Sequence, residues 1–327
     1  MEIQDGAELC FPQLLNTSCR KPTSHRLQDV LLHVVLSSIS VLTIVLNLLV
    51  IISVSYFRQL HTPTNILLLS LAVSDFLVGI VLLPGDIYLQ TQCWFLGDVM
   101  CSLINYVIYI VLSASVGNMV LVSVDRYVAI CHPLHYPTRV TVTKAKLYVF
   151  LCWFCSSFYV TIVFKDLLNQ PGITNSCYGE CKIVFSKIVF VTDLVLSFIA
   201  PVVAIILLYM RVFVVAVSQA HAMRSHTAAV THQHSVTQSN RKSELKAART
   251  LGVLVLVFLI CLCPFYCASL AGASTYSVNL TSIMFYLNSC LNPVIYALFY
   301  PWFRKAVKHI VTLQILQPGS CEVSMLK

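Results

Sequence analysis

The chain has 327 residues, of which 58% are hydrophobic and 10% are charged, and its formal net charge is +8. Soluble globular domains carry about 25% charged residues, so this composition excludes a soluble protein of one or two domains. The positive charge needs no nucleic-acid partner, because a membrane topology accounts for the placement of the basic residues along the chain.

Seven apolar stretches follow one another along the sequence. Each contains few or no charged residues, and each is long enough, or nearly so, to cross about 30 Å of hydrocarbon as a helix. We therefore predict an all-α membrane protein: an N-terminal arm over residues 1–29, a seven-transmembrane helix bundle over 30–300, and a tail over 301–327. The predicted spans are Val30–Phe57, Ile66–Gly85, Val99–Val124, Leu147–Phe164, Ile188–Met210, Leu251–Ala271 and Val278–Phe303.

The basic residues predict the orientation of the bundle. If the N-terminus lies outside the cell, most of the 21 lysines and arginines fall in inner segments, as the positive-inside tendency requires. Residues 1–30 contain acids and prolines but no apolar core typical of a secretory signal, so we expect the first span to direct its own insertion.

The predicted outer segments carry two features of an extracellular surface. Asn16 opens an Asn-Thr-Ser glycosylation motif on the N-terminal arm. An even number of cysteines in an oxidising compartment predicts disulfides, although the spacing by itself leaves the pairing open. These cysteines are Cys10, Cys19, Cys93, Cys101, Cys177 and Cys181.

Three acids lie within or near the ends of the spans: Asp75 in the middle of the second, Asp86 near its outer end, and Asp193 a short way inside the fifth. A charge inside a membrane costs about 2.5–3.5 kcal/mol on insertion scales, so each acid indicates a function. Asp193 has no basic residue three or four positions away, and the other spans contain no deep lysine or arginine. A ligand ammonium would supply the missing cation through a charge-assisted hydrogen bond; the alternative is a hydrated or protonated acid near the interface.

The inner ends of the third and seventh spans carry two further motifs. Asp125, Arg126 and Tyr127 end the third span. In the seventh, Pro293 follows Asn292 inside a membrane helix, where proline removes a backbone hydrogen bond and the freed carbonyl must find another partner. A polar, kinked helix of this kind indicates a moving part.

Beyond the seventh span, residues 301–310 predict a short eighth helix. Phe303, Val307 and Ile310 recur at helical spacing, and basic residues lie between them. This pattern is typical of an amphipathic helix at a membrane surface.

The run Asn288–Phe303, NSCLNPVIYALFYPWF, resembles the seventh helix of rhodopsin-like G-protein-coupled receptors. Over its full length it is similar to the fingerprint of the trace amine-associated receptors. The resemblance covers nearly all of residues 30–310. It implies a multi-pass plasma-membrane receptor, not an enzyme, that binds a small amine, acts in olfaction and signals through a stimulatory G protein to raise cyclic AMP.

The resemblance also implies disulfide pairs. In this superfamily the cysteine at the top of the third helix pairs with one in the second outer loop, here Cys101 with Cys181. The N-terminal arm of the family is tied to the same loop, and for that bond we favour Cys19 with Cys177.

For the amine site, the resemblance implies an acid on the fifth helix. Most aminergic receptors have an aspartate eighteen residues before the arginine of the Asp-Arg-Tyr motif, where this chain has Ile108. One branch of the trace amine-associated receptors, expanded in fishes, has the acid on helix five, eight residues before a proline. Asp193 stands eight residues before Pro201 and therefore resembles that branch.

We therefore predict that Asp193 holds the ammonium of an alkyl amine, or of a diamine if Asp86 reaches the pocket as well. Aromatic rings in the pocket would pack the carbon skeleton of the amine and attract its charge. The other predicted pocket residues are Ile108, Tyr109, Leu112, Phe265, Tyr266 and Tyr286.

For activation, the resemblance implies that Arg126 pairs with Asp125 at rest and contacts the G protein once helix six moves, extending towards Tyr209 and Tyr296. Leu262 stands where the superfamily usually has a tryptophan, so Phe258 is a candidate for relaying ligand contact. Asp75 resembles the acid of a sodium site; a buried hydrogen-bonded acid is the alternative. The other residues of the predicted sodium site are Asn47, Ser115, Asn288 and Asn292.

Two other functions are weighed against this prediction. A receptor for a non-amine ligand would use Asp193 as a structural acid. A transporter would show paired repeats and broken helices in both halves, and the sequence shows neither. An enzyme is disfavoured because no nucleophile–base pair or metal-ligand spacing is found. Apart from the possible sodium ion, no cofactor is expected.

Overall fold

The computed structural model describes residues 9–325 except 15, 21–26, 92, 170–176, 182, 184, 228–234 and 272–274. Within this part of the chain, seven helices are long and apolar enough to cross a membrane, so the predicted seven-helix bundle is confirmed. The helices are α1 (Leu27–Tyr56), α2 (Pro63–Leu77, continued by Val78–Leu82 and Leu83–Thr91), α3 (Gly97–Cys131), α4 (Val142–Asn169), α5 (Lys187–Asp193, continued by Leu194–Ile199 and Ala200–Thr227), α6 (Ser235–Leu270), α7 (Thr275–Phe299) and α8 (Pro301–Val311).

Prolines account for the irregular turns in the helices. The π-helical turns Val78–Leu82 in α2 and Leu194–Ile199 in α5 come shortly before Pro84 and Pro201. Proline cannot donate to the carbonyl four residues earlier, and a wider turn accommodates the interrupted hydrogen bonding. The turn in α5 starts directly after Asp193, so the proline also influences where that carboxylate lies.

Helix α3 runs through the centre of the bundle and packs against α2, α4, α5 and α6. The largest cluster of buried apolar residues lies towards the α8 end, where Met119, Phe258 and Tyr296 are almost fully buried. The outward faces of α4 and α5 are rich in exposed apolar side chains, as expected of helices that face lipid. The bundle thus has a buried apolar core between its helices and exposes further apolar side chains on its outer surface.

Three disulfides lie at one end of the bundle, which we call the disulfide end. The structure joins Cys101 to Cys181 and Cys19 to Cys177, the two pairs predicted, and also joins Cys10 to Cys93. Residues 9–20 of the arm are therefore linked to both of the loops that precede α3 and α5.

Backbone hydrogen bonds hold the arm against the second of these loops. The Cys19 amide donates to the Tyr178 carbonyl at 2.8 Å, and the Tyr178 amide donates to the Thr17 carbonyl at the same distance. Asn16 lies on an exposed turn of this segment; its glycosylation stays a prediction.

The opposite end of the bundle carries α8, which begins at Pro301, the residue at which the sequence predicts its start. Trp302, Phe303 and Ala306 are buried against the bundle, and Val307 is partly buried. The Arg304 guanidinium donates to the carbonyls of the last turn of α7, which satisfies acceptors that the helix end leaves open. The position of α8 on a membrane surface stays a prediction.

Candidate functional site

Asp193 lines a cavity between the helices on the side of the disulfide end. The cavity encloses about 650 Å³ of empty space, counting the part open to solvent. The Tyr159 hydroxyl of α4 and the Ser197 hydroxyl of α5 both donate to Asp193 Oδ1 at 2.9 Å. No basic side chain in the described part of the chain lies within 4.0 Å of this carboxylate. The carboxylate is therefore oriented by hydroxyls, and no cation from the described residues neutralises it.

The wall of this cavity is largely aromatic and apolar. Three of the predicted pocket residues line it: Tyr109, Leu112 and Tyr266. Tyr266 stacks on Phe198 with ring centroids 4.1 Å apart, and Tyr109 packs edge-to-face on further aromatic rings of the α4 side. Rigid rings beside an acid suit a ligand that combines a positive charge with a hydrocarbon skeleton.

Four predicted pocket residues are not among those that line the Asp193 cavity. Tyr286 is buried and donates to Asp86 Oδ2 at 3.0 Å. Ile108 packs with the same apolar cluster as Tyr286, and Phe265 packs on the cavity residue Phe285 with centroids 5.2 Å apart. The structure thus pairs Asp86, near the end of α2, with Tyr286, and Asp86 is not among the residues that line the Asp193 cavity.

Asp75 lies at the centre of the bundle and is fully buried. The Asn292 amide donates to Asp75 Oδ2 at 2.7 Å, and the Asn47 amide donates to the carbonyls of Thr43 and Ser289 at 2.9 Å. Two of the residues predicted to surround Asp75 therefore make contacts in this region. Asn292 of α7 contacts Asp75 directly, and Asn47 of α1 contacts Ser289, which lies on α7 as well.

Several oxygens of this cluster are buried and unpaired, with no hydrogen-bond partner in the described part of the chain. They are Thr43 Oγ1, Asn47 Oδ1, Asp75 Oδ1, Asn288 Oδ1 and Asn292 Oδ1. An all-oxygen set that includes one carboxylate fits a hard cation such as sodium. The residues present therefore fit the predicted ion.

Arg126, near the α8 end of α3, is held by its neighbours. Its guanidinium pairs with Asp125 and donates to the Thr64 hydroxyl of α2. Asp125 also accepts hydrogen bonds from Thr64 and Tyr136, each at 2.9 Å. Burial, and then the charge of Asp125, raise the pKa of the Tyr136 phenol, so it remains a donor at neutral pH.

The buried hydroxyls of Tyr209, Tyr296 and Tyr300 have no hydrogen-bond partner in the described residues. Tyr296 and Phe258 belong to the large apolar cluster, and Tyr296 is only 1% exposed. Tyr127 turns away from Arg126 and packs against His132 and the α5 side. Arg126 therefore contacts α2 in this structure, and unpaired phenols are available on α5 and α7.

Sequence reasoning missed several partners of these charged groups. Ser197 lies four residues after Asp193, and helical spacing could have revealed it. Tyr159 and Thr64 come from other helices, and Tyr136 comes from a short helical turn between α3 and α4; no sequence signal places them beside an acid. The sequence does not predict the bond between Cys10 and Cys93, because neither the spacing of these cysteines nor the family resemblance indicates their partners.

Comparisons with known proteins agree with this architecture. The model of the 7 transmembrane receptor (rhodopsin family) matches residues 46–296. The chain is 36% identical to trace amine-associated receptor 13c of Danio rerio, over 98% of this chain and 97% of that protein. It is 36% identical to trace amine-associated receptor 8a of Rattus norvegicus, with the same coverage. Identity to trace amine-associated receptor 1 of Mus musculus is 34%, over 94% of this chain and 96% of that protein.

The matches to these relatives extend through all seven helices and cover nearly the whole length of this chain and of each relative. The motifs singled out in the sequence, Asp125-Arg126-Tyr127 and Asn292-Pro293 with Tyr296, fall within the matched region. The chain therefore belongs to the rhodopsin family of seven-transmembrane receptors and, within it, to the trace amine-associated receptors.

Proposed function

We propose that this receptor binds a small alkyl amine in the Asp193 cavity and transmits binding to a heterotrimeric G protein of the stimulatory class, which raises cyclic AMP. The disulfide end faces the cell exterior and the α8 end faces the cytosol of the plasma membrane. The related receptors are named for trace amines, which supports an amine ligand. The role in olfaction that the family resemblance implies is part of the same proposal.

The observation that carries the proposal is the state of Asp193. Its carboxylate lies in a cavity with aromatic walls, two hydroxyls bind one of its oxygens, and the nearest described basic group is beyond ion-pair distance. An ammonium is the ligand group that neutralises the charge and adds a charge-assisted hydrogen bond. Ile108, in place of the usual acid on α3, leaves α5 as the helix that supplies the counter-ion.

Exchange of Asp193 for asparagine tests the proposal. Truncating one partner of a buried charge pair costs about 2–5 kcal/mol, so Asp193→Asn should weaken amine potency by about thirtyfold or more. The readout is cyclic AMP in cells exposed to a panel of amines, normalised to receptor at the cell surface. Asp98→Asn is the matched control, because it removes the same charge from the first turn of α3 outside the cavity lining.

One observation favours a second candidate, a receptor for a non-amine ligand in which Asp193 is structural. Tyr159 and Ser197 already give the carboxylate two hydrogen bonds within the protein. In that case Asp193→Asn would lower the thermal stability of the receptor and leave the potency of its agonists unchanged.

We further propose that Asp75 and the oxygens around it hold a sodium ion. When bound, the ion would neutralise the buried carboxylate and favour the packed, inactive arrangement of the helices. Asn292 orients Asp75 through the 2.7 Å hydrogen bond, while Asn288 and Ser115 border the cluster. Replacing sodium by N-methylglucamine should raise amine affinity in the wild type and have no effect in Asp75→Asn.

For activation, we propose that Arg126 leaves Asp125 and Thr64 when α6 moves outward. The guanidinium would then donate hydrogen bonds to the unpaired phenols of Tyr209 and Tyr296. These bonds would replace the one that it donates at rest to the Thr64 hydroxyl of α2. The agonist stabilises this state only to the extent that it binds it more tightly than the resting one. Phe258, below Leu262 on the cavity wall, is the residue proposed to couple the ligand to α6.

A further inference from the structure

Beyond α8 the chain turns back and lies against the α8 end of α1. Leu313 and Gly319, with φ of +58° and +80°, are both in the left-handed region and precede short helical turns at Gln314–Leu316 and Ser320–Glu322. The second of these turns contacts Arg58–Leu60, the turn that follows α1. We call residues 312–325 the strap.

Polar side chains at the end of α1 bind the main chain of the strap. The Tyr56 hydroxyl donates to the Ile315 carbonyl at 2.8 Å and lies 2.7 Å from the buried Ser320 hydroxyl. Three residues after Tyr56, the Gln59 side chain accepts a hydrogen bond from the Met325 amide at 3.1 Å. The strap is therefore fixed near both of its ends by the residues that follow the membrane-spanning part of α1.

Met325 is the apolar anchor of the strap. It is only 1% exposed, whereas Val323, two residues earlier, is 37% exposed. Met325 belongs to the largest buried apolar cluster of the molecule, together with Phe57 of α1 and with Trp302 and Phe303 of α8. Burial of a methionine side chain changes an equilibrium constant by about ten- to a hundredfold, so this anchor contributes strongly to docking of the strap.

The cluster that holds the anchor continues into α7. The Phe303 ring packs edge-to-face on Tyr296 with centroids 6.5 Å apart, and the Trp302 ring lies 5.9 Å from that of Tyr300. Tyr296 is one of the phenols to which Arg126 is proposed to donate on activation. A movement of Tyr296 towards Arg126 would therefore change the packing of α8, against which the strap is anchored.

We infer that the strap is an autoinhibitory restraint: docked on α1, it holds α8 and the adjoining end of α7 in their resting packing. Contacts that are made in the resting state and weakened in the active one shift the equilibrium towards rest. Release of the strap therefore favours activation without any change in the ligand cavity. This inference rests on the proposed activation step, which the strap opposes.

Met325→Asp tests the docking of the strap, because it places a charge at the buried anchor. Val323→Asp is the matched control, since it adds the same charge to the strap at a partly exposed position. Hydrogen–deuterium exchange of the purified full-length receptor is the readout. Amides of residues 314–325 should exchange at least about tenfold faster in Met325→Asp and at the wild-type rate in Val323→Asp. Exchange in α8 should also become faster in Met325→Asp alone.

Tyr56→Phe releases the strap without adding a charge, and it provides the same comparison if Met325→Asp fails to fold. Loss of its hydroxyl removes the hydrogen bond to the Ile315 carbonyl, so exchange in the strap should become about two- to tenfold faster. Combined with Met325→Asp, it should have no further effect on the strap, because the contact is already lost.

Basal cyclic AMP per receptor at the cell surface tests the restraint itself. Met325→Asp should raise it by about three- to tenfold, and Val323→Asp should leave it unchanged. The rise is smaller than the change in exchange, because only the part of the docking energy that differs between the resting and active states shifts the equilibrium.

Strap amides that exchange in the wild type as fast as those of an unstructured peptide would overturn the inference. A released strap that leaves basal cyclic AMP unchanged would overturn it as well, provided that amines raise cyclic AMP in the wild type. If no amine does so, the proposed signalling fails on its own, and exchange in α8 decides the inference. Faster exchange in α8 on release of the strap then supports the restraint, and unchanged exchange overturns it.

Discussion

Tyr159 is expected to act as a positioning residue for the amine site, through Asp193. Its hydroxyl donates to Asp193 Oδ1 at 2.9 Å and shares that oxygen with Ser197, so the two hydroxyls together set the rotamer of the carboxylate. Removing one donor from a charged group costs about 1.5–3 kcal/mol when nothing replaces it. The cavity admits water, which can replace the lost hydroxyl in part, so the lower figure applies. Tyr159→Phe should therefore weaken amine binding by about tenfold.

The assay is saturation binding of a labelled alkyl amine to membranes, with Tyr106→Phe as the control. Tyr106→Phe removes an exposed hydroxyl that bonds Thr161, and Tyr106 is not among the residues that line the Asp193 cavity. Ser197→Ala should give a loss similar to that of Tyr159→Phe. The double variant should lose less than the sum, because both hydroxyls act on the same oxygen.

A double-variant cycle with Asp193→Asn isolates the mechanism. If Tyr159 acts by orienting the carboxylate, Tyr159→Phe should have almost no further effect once the carboxylate is gone. A tenfold loss that persists in the Asp193→Asn background would refute the reasoning, since Tyr159 would then contact the ligand directly. Wild-type affinity in Tyr159→Phe would refute it as well.

Three other predictions concern the arm and the Arg126 contacts. Cys10→Ser and Cys93→Ser should each lower the stability of the receptor, by about 2–4 kcal/mol for a typical disulfide, and the double variant should lower it no further. Gly179 has φ of +103° and a Cβ added there would lie 2.8 Å from the Cys10 Cβ, so Gly179→Ala should reduce the melting temperature measured in detergent. Thr64→Ala removes a contact that holds Arg126 on α2, so basal cyclic AMP per receptor should rise by up to about tenfold.

Each of these predictions has a matched control or a contrary outcome. Gly85→Ala meets no atom within 4 Å and should leave the melting temperature nearly unchanged. Thr138→Ala removes a hydroxyl that bonds only the exposed backbone near His135, so it should not change basal signalling. Additive losses in the double cysteine variant would show that the two cysteines are not joined to each other.

The sequence alone determined the class of the protein and the number of its helices. Apolar runs longer than a bilayer is thick leave little choice of fold, because every backbone polar group inside hydrocarbon must be satisfied within a helix. A binding role for Asp193 was predicted from the sequence as well, since an acid in such a run without a nearby base indicates a binding site, and that role stays a prediction. Helical spacing was enough to place Asn288 and Asn292 on one face of α7.

The tertiary structure alone decided what each of these groups meets across the bundle. Tyr159 binds Asp193, Thr64 binds Arg126, Tyr286 binds Asp86, and Cys10 pairs with Cys93. Such contacts depend on the rotation of each helix about its axis and on the bends that prolines introduce. The periodicity of a sequence shows which residues share one face of a helix. It does not show which neighbouring helix that face contacts, because this depends on how all the helices pack together.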